Sequence, residues 1–521
     1  PAVEGLQRLP GVSHYYIGRD RAAWREHVPQ FGRVSYANVW TGIDAVVYGA
    51  DDHLEYDFIV APGRDPRAIA LELEGADDMS IARDGSLLVS VGDARIVQRA
   101  PIAYQDVEGV RVPVEAAYRL AHDRVGFDIG TYDRTRPLVI DPIVIVYASF
   151  LGGSSTEFVE PGSQTAGIAI DGAGDIIVAL DTNSTDLPGT ALTALVTPNI
   201  AIVKINPTAS AVLFTTYLGG NEFDSRGNID TDPAGNIYLT GRTTSTDLPV
   251  TAGAIRTTIL GSDTGDGLLA QFSSSGTLQY LTYIGGGGSD SAEAVSFANG
   301  KVYVTGSTSS TDLPATPNAA QATAGGDFDA WVARFDLSQP SPLEYLSYLG
   351  GSGQDAAFSL AVDGVGRFSI AGFTRSTGFP VSINARQTSL NGGADAFVTR
   401  FAANGSIDYS TYLGGSSAST TENAKIALDA SGAFLLTGFT DSADFPAGTA
   451  TPVFQATKAA GSDAFVARLD PSLAPPQQIT ARTFIGGSAV DGVIPSAARG
   501  DFAISVAQDA SGNVYVTGFT S

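Results

Sequence analysis

Between Asn423 and Ile485 the chain reads as four short apolar runs, AKIALD, AFLLTGFT, DAFVARLD and ITARTFIGG, separated by breaks rich in glycine, aspartate and serine. Runs of this length with alternating polar and apolar positions predict strands, and the DASG break between the first two predicts a tight hairpin turn. The same order returns along the chain. Close copies of YSTYLGG (Tyr409 to Gly415) occur as YASFLGG, FTTYLGG, YLTYIGG, YLSYLGG and ARTFIGG. The first glycines of these pairs stand at 152, 219, 285, 350, 414 and 486, so the intervals are 67, 66, 65, 64 and 72 residues. A unit of four antiparallel strands repeated at this period predicts the blades of a β-propeller. No sustained 3.6-residue periodicity runs through the unit, which excludes a helical solenoid.

Residues 1–143 lack the repeat and alternate with period two in SYANVW, IDAVVY, LEYDFIV, AIALELEG, SLLVSV, VPVEAAYRL and RVGFDIG. They predict a separate β-sandwich-like domain, with a hairpin at Asp84-Gly85. The expected division is 1–143 and 144–521. Blades are expected at about 166–218, 226–284, 292–349, 356–413 and 423–485, with a sixth opening near Asp501. Val144 to Leu151 matches a blade's outer strand alone and is expected to close the ring, giving at least six blades and room for seven. The aromatic residue of YLGG is expected to pack between neighbouring blades. Pro1 in place of methionine, and a sixth unit that stops after its second strand, lead us to expect that both termini lie further out.

Composition narrows the partners. Sixty glycines and only 16% charged residues fit a turn-rich all-β chain, and the net charge of −25 sets a field that repels phosphate backbones and anionic lipid surfaces. Nucleic acid is therefore not an expected partner. No apolar run reaches the 18 residues of a membrane-spanning helix. There is no cysteine, and the four histidines, His14, His27, His53 and His122, all precede the repeats. The propeller region thus has no Ser-His-Asp triad, no Cys-His pair and no histidine-ligated metal.

Acidic residues recur in three series. The fourth position after each Gly-Gly is Glu157, Asp224, Asp290, Asp355, Ser419 and Asp491; the Asp-Leu/Phe-Pro loop carries Asp186, Asp247, Asp312 and Asp444, with Gly378 as the exception; and the third strand opens on Asn199, Asp266, Asp329, Asp395 and Asp463. Up-and-down topology puts all three series on one face. Asp224, Asp290, Asp355, Asp491, Asp247, Asp312 and Asp444 are accordingly candidate ligand-binding residues; no cofactor is expected, with Ca²⁺ on Asp224, Asp290 and Asp355 as the alternative. The competing expectation is that each carboxylate caps its own loop by accepting backbone N–H bonds. Lys204, Gln271, Arg334, Arg400 and Arg468, which end the third strands, are expected to pair with blade carboxylates. His53, Glu55 and Asp57 alternate along one predicted strand, a short pattern expected to form a solvated face ahead of a metal site. Two carboxylates suffice for glycosidase chemistry, but no pair is singled out by spacing.

YSTYLGG, DASGNVYVTGFTS, the STDLP and SADFP elements and GGADAFVTRF together resemble the bacterial SBBP (seven-bladed β-propeller) repeat proteins over about 147–521. GVSHYYIGRD, GIDAVVYG, LEYDFIVAPG and RPLVIDP resemble the β-rich domain of unknown function that precedes such repeats. The resemblance implies a bacterial extracellular or cell-surface protein and transfers no catalytic residue. The expected function is a non-enzymatic binding or scaffold protein that presents an acidic propeller face to a protein or glycan. The alternatives are a carbohydrate-active hydrolase or lyase using paired carboxylates, and a Ca²⁺-stabilised structural module.

Overall fold

The computed structural model describes residues 2–519 except 16–24, 51–52, 74, 83–84, 92–93, 99, 108–109, 122–123, 142–143, 146–150, 156, 159–166, 190–199, 208–210, 262–263, 418–421, 450–454, 460, 487–501 and 509–513. It divides into two compact units, Pro1–Phe150 and Leu151–Ser521. Both are β throughout; among the described residues the helical turns are Pro66–Ala68 and Pro475–Gln477, and no helix is long and apolar enough to cross a membrane.

In the first unit Ala2–Tyr15, Arg25–Trp40, Ile43–Ala50 and His53–Val60 form an antiparallel meander, which Leu138–Asp141, Ile102–Val107 and Val110–Val114 extend to a seven-stranded sheet. Smaller sheets of three and four strands complete the unit, with a shared core that includes Phe58, Val60, Leu87, Phe127, Leu138 and Ile140. The hairpin expected near Asp84-Gly85 joins Asp78–Ile81 to Leu87–Val91, and Gly85 turns it at φ +82°. Asp84 lies outside the described residues. AIALELEG pairs only at Leu71–Glu72, where a continuous strand was expected.

The second unit contains four regular four-stranded sheets in strand order 1-2-3-4, the meander of a propeller blade. Blade 2 comprises Asp224–Thr231, Ile237–Thr243, Asp266–Phe272 and Leu278–Ile284, and blade 3 Asp290–Ala298, Lys301–Thr308, Asp329–Phe335 and Leu343–Leu349. Blade 4 comprises Asp355–Val362, Phe368–Thr374, Asp395–Phe401 and Ile407–Leu413, and blade 5 Asn423–Leu428, Phe434–Thr440, Asp463–Leu469 and Ile479–Ile485. First strands of successive blades lie side by side, so they form the innermost layer. Apolar side chains interleave between blades, as where Ile229 of blade 2 packs in one cluster with Ile177 and Ala179 of blade 1.

Two departures concern the ends of the array. Blade 1 splits its first strand into Glu157–Phe158 and Gly167–Ile170, both paired with Ile176–Thr182. Nine residues separate Phe158 from Ile168, against three between the equivalent Ser225 and Ile229. Val144 and Ile145 were expected to close the ring, but they pair with Gln98 and Val97 of the first unit. Ladder hydrogen bonds to a nearby sheet edge are available there without the loop-closure cost of reaching the last blade. Blade 6 is described as one hairpin, Phe502–Gln508 with Val514–Phe519, and its DASG turn lies outside the described residues.

The repeat's two aromatic positions face opposite ways, as strand alternation requires. Tyr345 reaches the next blade, where its ring packs against Phe368 and Phe401 and its hydroxyl donates to the Gly405 carbonyl at 2.8 Å. The tyrosine directly before Leu-Gly-Gly packs between blades as expected, Tyr348 in one cluster with Leu269 and Ile284 of blade 2 and Tyr283 in one with Ile177 of blade 1, while its hydroxyl bonds within its own blade. Tyr348 donates to the Ser310 carbonyl at 3.0 Å and accepts from Leu313 N at 2.8 Å; Tyr283 and Tyr412 do the same for Ser245 and Leu248 and for Ser376 and Phe379. This one hydroxyl holds the Asp-Leu/Phe-Pro loop closed. Tyr348→Phe keeps the ring but leaves a buried carbonyl and N–H unpaired, so chemical denaturation should report a loss of about 1–3 kcal/mol. A change below a few tenths would show that the hydroxyl does not hold the loop.

Candidate functional site

The recurring carboxylates meet at the links between blades. The N–H of each second glycine donates to the acid that opens the following first strand: Gly153 to Glu157, Gly220 to Asp224, Gly286 to Asp290, Gly351 to Asp355 and Gly415 to Glu422, at 2.7–3.1 Å. That acid also accepts the hydroxyl of a serine two residues past a threonine at the end of the second strand. Ser184, Ser245, Ser310 and Ser376 make this bond at 2.6–2.9 Å. The next N–H of the link goes to the Asp-Leu/Phe-Pro aspartate, from Ser154 to Asp186, Asn221 to Asp247, Gly287 to Asp312 and Ser416 to Asp444, at 2.8–2.9 Å. The N–H after that donates to the same serine hydroxyl, as from Glu222 to Ser245 at 3.0 Å and from Gly353 to Ser376 at 2.8 Å. Three successive amides of the links before blades 1, 2, 3 and 5 are thereby caught by side chains of one blade.

The third series caps its own loop. Asp395 accepts from Asn391 N and Gly392 N and from the Gln387 amide, and Asp463 from Ala459 N and the Gln455 amide. It also approaches the first series across the first glycine of the link. A Cβ on Gly285 would lie 2.6 Å from Asp266 Oδ1 and 2.8 Å from Asp290 Oδ2, and one on Gly350 or Gly414 would meet Asp329 with Asp355, or Asp395 with Glu422. These six carboxyl groups are at most 1% exposed. Burial, and the negative charge of the partner carboxylate, push Asp266 and Asp329 up to about 6, and burial raises Asp290, Asp355, Asp395 and Glu422 as well.

Asp224, Asp290 and Asp355 are therefore sealed loop caps, whereas Asp247, Asp312 and Asp444 are exposed at the loop tips with one oxygen on a link amide. Ser419 and Asp491, counted at a fixed offset from Gly-Gly, lie outside the described residues, as does Asn199. In blade 5 the capping role falls to Glu422, seven residues past Gly415, because the link is three residues longer; a search for the acid facing Thr440-x-Ser442 would have found it. Gly378 thus remains the departure among the loops described. It supplies no carboxylate to Ser352, its φ is not left-handed, and a Cβ there meets nothing within 4 Å. Gly378→Asp should stabilise the fold by about 1 kcal/mol through the restored cap and lower chain entropy, read as a higher denaturation midpoint; a lower midpoint would contradict this account.

The ends of the third strands behave as ordinary ion pairs. Lys204 meets Asp171 at 2.7 Å and Asp175 at 3.0 Å, Arg334 meets Glu344 at 3.0 Å, Arg400 meets Asp408 at 2.7 Å and Arg468 meets Asp429 at 2.7 Å, while Gln271 bonds the Tyr238 hydroxyl. His53, Glu55 and Asp57 do alternate along one strand. Asp57 accepts from the Tyr48 hydroxyl, and the side chains of His53 and Glu55 lie outside what is described. Among the described residues no three histidine, aspartate or glutamate side chains converge as a metal site would need.

Comparison with known proteins agrees with this architecture. Residues 213–249, from the last strand of blade 1 through the loop of blade 2, match the SBBP beta-propeller repeat. The chain carries an SBBP propeller repeat. Residues 1–143, ahead of the SBBP region, match a domain of unknown function, DUF7948. No curated protein matches the chain. Solved structures similar to this SBBP-bearing chain include a gluconolactonase from Xanthomonas campestris, with 12% identity, a TM-score of 0.26 and coverage of 70% of this chain and 96% of that one. Others are a NanB sialidase from Streptococcus pneumoniae (8%, 0.31, 83% and 80%) and an ulvan lyase from a new family of polysaccharide lyases (9%, 0.26, 82% and 87%). Likeness this shallow assigns no chemistry to the SBBP blades.

Proposed function

We propose that this is a non-enzymatic binding or scaffold protein of the bacterial cell surface, whose propeller offers the exposed loop aspartates Asp186, Asp247, Asp312 and Asp444 to a glycan or protein partner. The observation that carries this reading is where the perturbed acids lie. Carboxyl groups raised toward neutrality, such as Asp266 and Asp329, are sealed at blade links, while the exposed Asp186 and Asp444 are held below the ordinary carboxylate range by the Ser154 and Ser416 amides. A glycosidase needs the reverse, an accessible acid able to give up a proton near neutral pH. Nor does the set favour calcium as a structural requirement, since the second oxygens of these aspartates sit on separate blades. The melting temperature is expected to move by less than about 1 °C on adding excess EDTA.

The test is incubation of the protein with a panel of neutral and acidic glycans, reading retention and product together. Retention without new reducing ends or unsaturated uronate absorbance, weakened in an Asp247→Asn/Asp312→Asn/Asp444→Asn variant, supports the reading. Turnover of any glycan would replace it with the carbohydrate-active alternative.

A further inference from the structure

The blades are near copies in their second, third and fourth strands, and they diverge most at one point of the first. In blade 3 the pairing slips between Ala292 and Ala294, in blade 4 between Ala357 and Ser359, and in blade 2 between Arg226 and Ile229. Each slip is a β-bulge that leaves a residue without a cross-strand partner and re-aims its side chain. Those residues are Glu293, Phe358 and, in blade 2, the Gly227-Asn228 pair. Blade 5 has no slip, and Lys425 stands there opposite Thr437. The one or two residues that follow the partner of the second-strand glycine (Arg226, Ala292, Ala357 and Ala424) thus include an amide, a carboxylate, an aromatic ring and an ammonium in four consecutive blades.

These positions converge. A Cβ on Gly227 would meet the carbonyl of Ala292 and, at 3.1 Å, that of Glu293, so the bulges of blades 2 and 3 abut. Lys425 Nζ donates to the Phe358 carbonyl at 3.1 Å and lies 5.4 Å from the centroid of its ring. Glu293 acts electrostatically on Lys425 although a whole blade separates them in the chain. Asn228 is exposed, and Glu293, Phe358 and Lys425 are half-buried, so each of the four keeps part of its surface in solvent. The Phe358 carbonyl is the one hydrogen-bond acceptor of the ammonium among the described residues, and an ammonium has three donors. Repeat symmetry explains the outer aspartates as fastenings; it offers no reason for four different side chains here.

We infer that the innermost ring of the propeller is a binding site for a monocarboxylate carried on a ring, with its carboxylate on Lys425, its flat or apolar face on Phe358, and Asn228 within the same ring for a polar substituent. Glu293 sets the charge limit, because a second negative group on the ligand would face it. Desolvation of Lys425, which holds its pKa below the ordinary lysine value, is what an anion would relieve. The site does not rest on the reading of the outer face, since none of its residues belongs to the aspartate loops.

The same carboxylate chemistry could come from a uronic acid or from an aromatic acid, so the probes are glucuronate and benzoate, with acetate as the faceless control. Titration of the full chain, followed by the Lys425 ε-methylene resonance and by calorimetry, should show glucuronate or benzoate saturating with a dissociation constant on the order of 1 mM, and acetate at least tenfold weaker. Tighter glucuronate would mark a sugar ligand, and tighter benzoate an aromatic one. Lys425→Met should weaken binding at least tenfold, and Glu293→Gln, which removes a facing charge without changing size, should strengthen it about twofold to fivefold. No shift with either probe at about fifty times the expected constant, equal affinity for acetate, or unchanged affinity in Glu293→Gln would each overturn the assignment.

Discussion

The melting temperature of the intact chain should rise as the pH is lowered from 8 to 5. Most acidic proteins gain something from losing net charge, but here the gain has named sources. Asp266 and Asp329 have folded-state pKa values near 6 against 3.8 when exposed. A carboxyl group whose folded pKa lies above its unfolded one binds its proton more tightly in the fold. Its stabilisation is therefore full below 3.8 and is lost as the pH rises through 6. Between pH 5 and 7 each group accounts for on the order of 1 kcal/mol. The groups that face them do not reverse the sign: Asp290 and Asp355 are themselves acids, Asp312 faces Asp290, and Arg256 is the basic group acting on Asp266. Below pH 4 the trend turns, because Asp336, held down to about 2 by Lys301 and Ser338, begins to lose its pairing. The decisive control is Asp329→Asn, which keeps the acceptor for Gly325 N while removing the charge. It should raise the midpoint at pH 8 and flatten the pH profile. A parallel profile in the variant would assign the effect to net charge alone.

Gly372→Ala should come close to abolishing the folded state. A Cβ there would run into the Ala356 carbonyl oxygen, with the carbonyl carbon at 2.9 Å and Ala357 Cα at 2.9 Å, all backbone atoms of the bulged first strand. Backbone cannot swing aside as a side chain can, so the bulge must be lost or the blade opened, at a cost of about 3 kcal/mol or more. Gly241, Gly306 and Gly438 make the same close approach in blades 2, 3 and 5. Blade 1 has Leu180 at this position, and there the described pairing of the first strand passes from Phe158 opposite Asp181 to Gly167 opposite Ala179. The variant should express poorly or melt far below the parent, whereas Gly364→Ala, whose Cβ meets nothing, should be near neutral. Equal stability of the two would refute the steric account.

The strands were legible because each is a short alternating run closed by a turn with a physical signature, as at Asp232 to Gly235, where Asp232 accepts from Ala234 N and Asn236 N and Gly235 turns at φ +81°. The acids were legible as positions but not as environments. Aspartate is ordinarily a surface residue, and nothing local to Asp290 announces that Gly286, Thr308 and Ser310 will supply donors enough to bury it. Fixed-offset counting failed at Ser419 for a related reason. A link can lengthen while its capping acid keeps its partners, and the partners lie twenty residues away. The bulges were not legible at all, since one unpaired residue in a strand leaves no mark on period-two alternation. Lys425, Glu293 and Phe358 consequently share no sequence feature that marks them as neighbours; the strand register places them together.

The fastening of each link has a bearing on how such a chain grows. Gly220, Asn221 and Glu222 are all held by Asp224, Ser245 and Asp247, which follow them in the same blade, and Tyr283 closes that blade's loop. A gene segment running from one glycine pair to the next therefore encodes its own clasp. Duplication or deletion at those glycine codons adds or removes a whole blade without stranding a donor, and the carboxylate pair at the new junction re-forms between blades 2 to 5 because each of them brings both a first-strand and a third-strand acid. Copy number is then free to drift by whole repeats, while a break made between a link and its Asp-Leu-Pro loop would separate the link from what holds it.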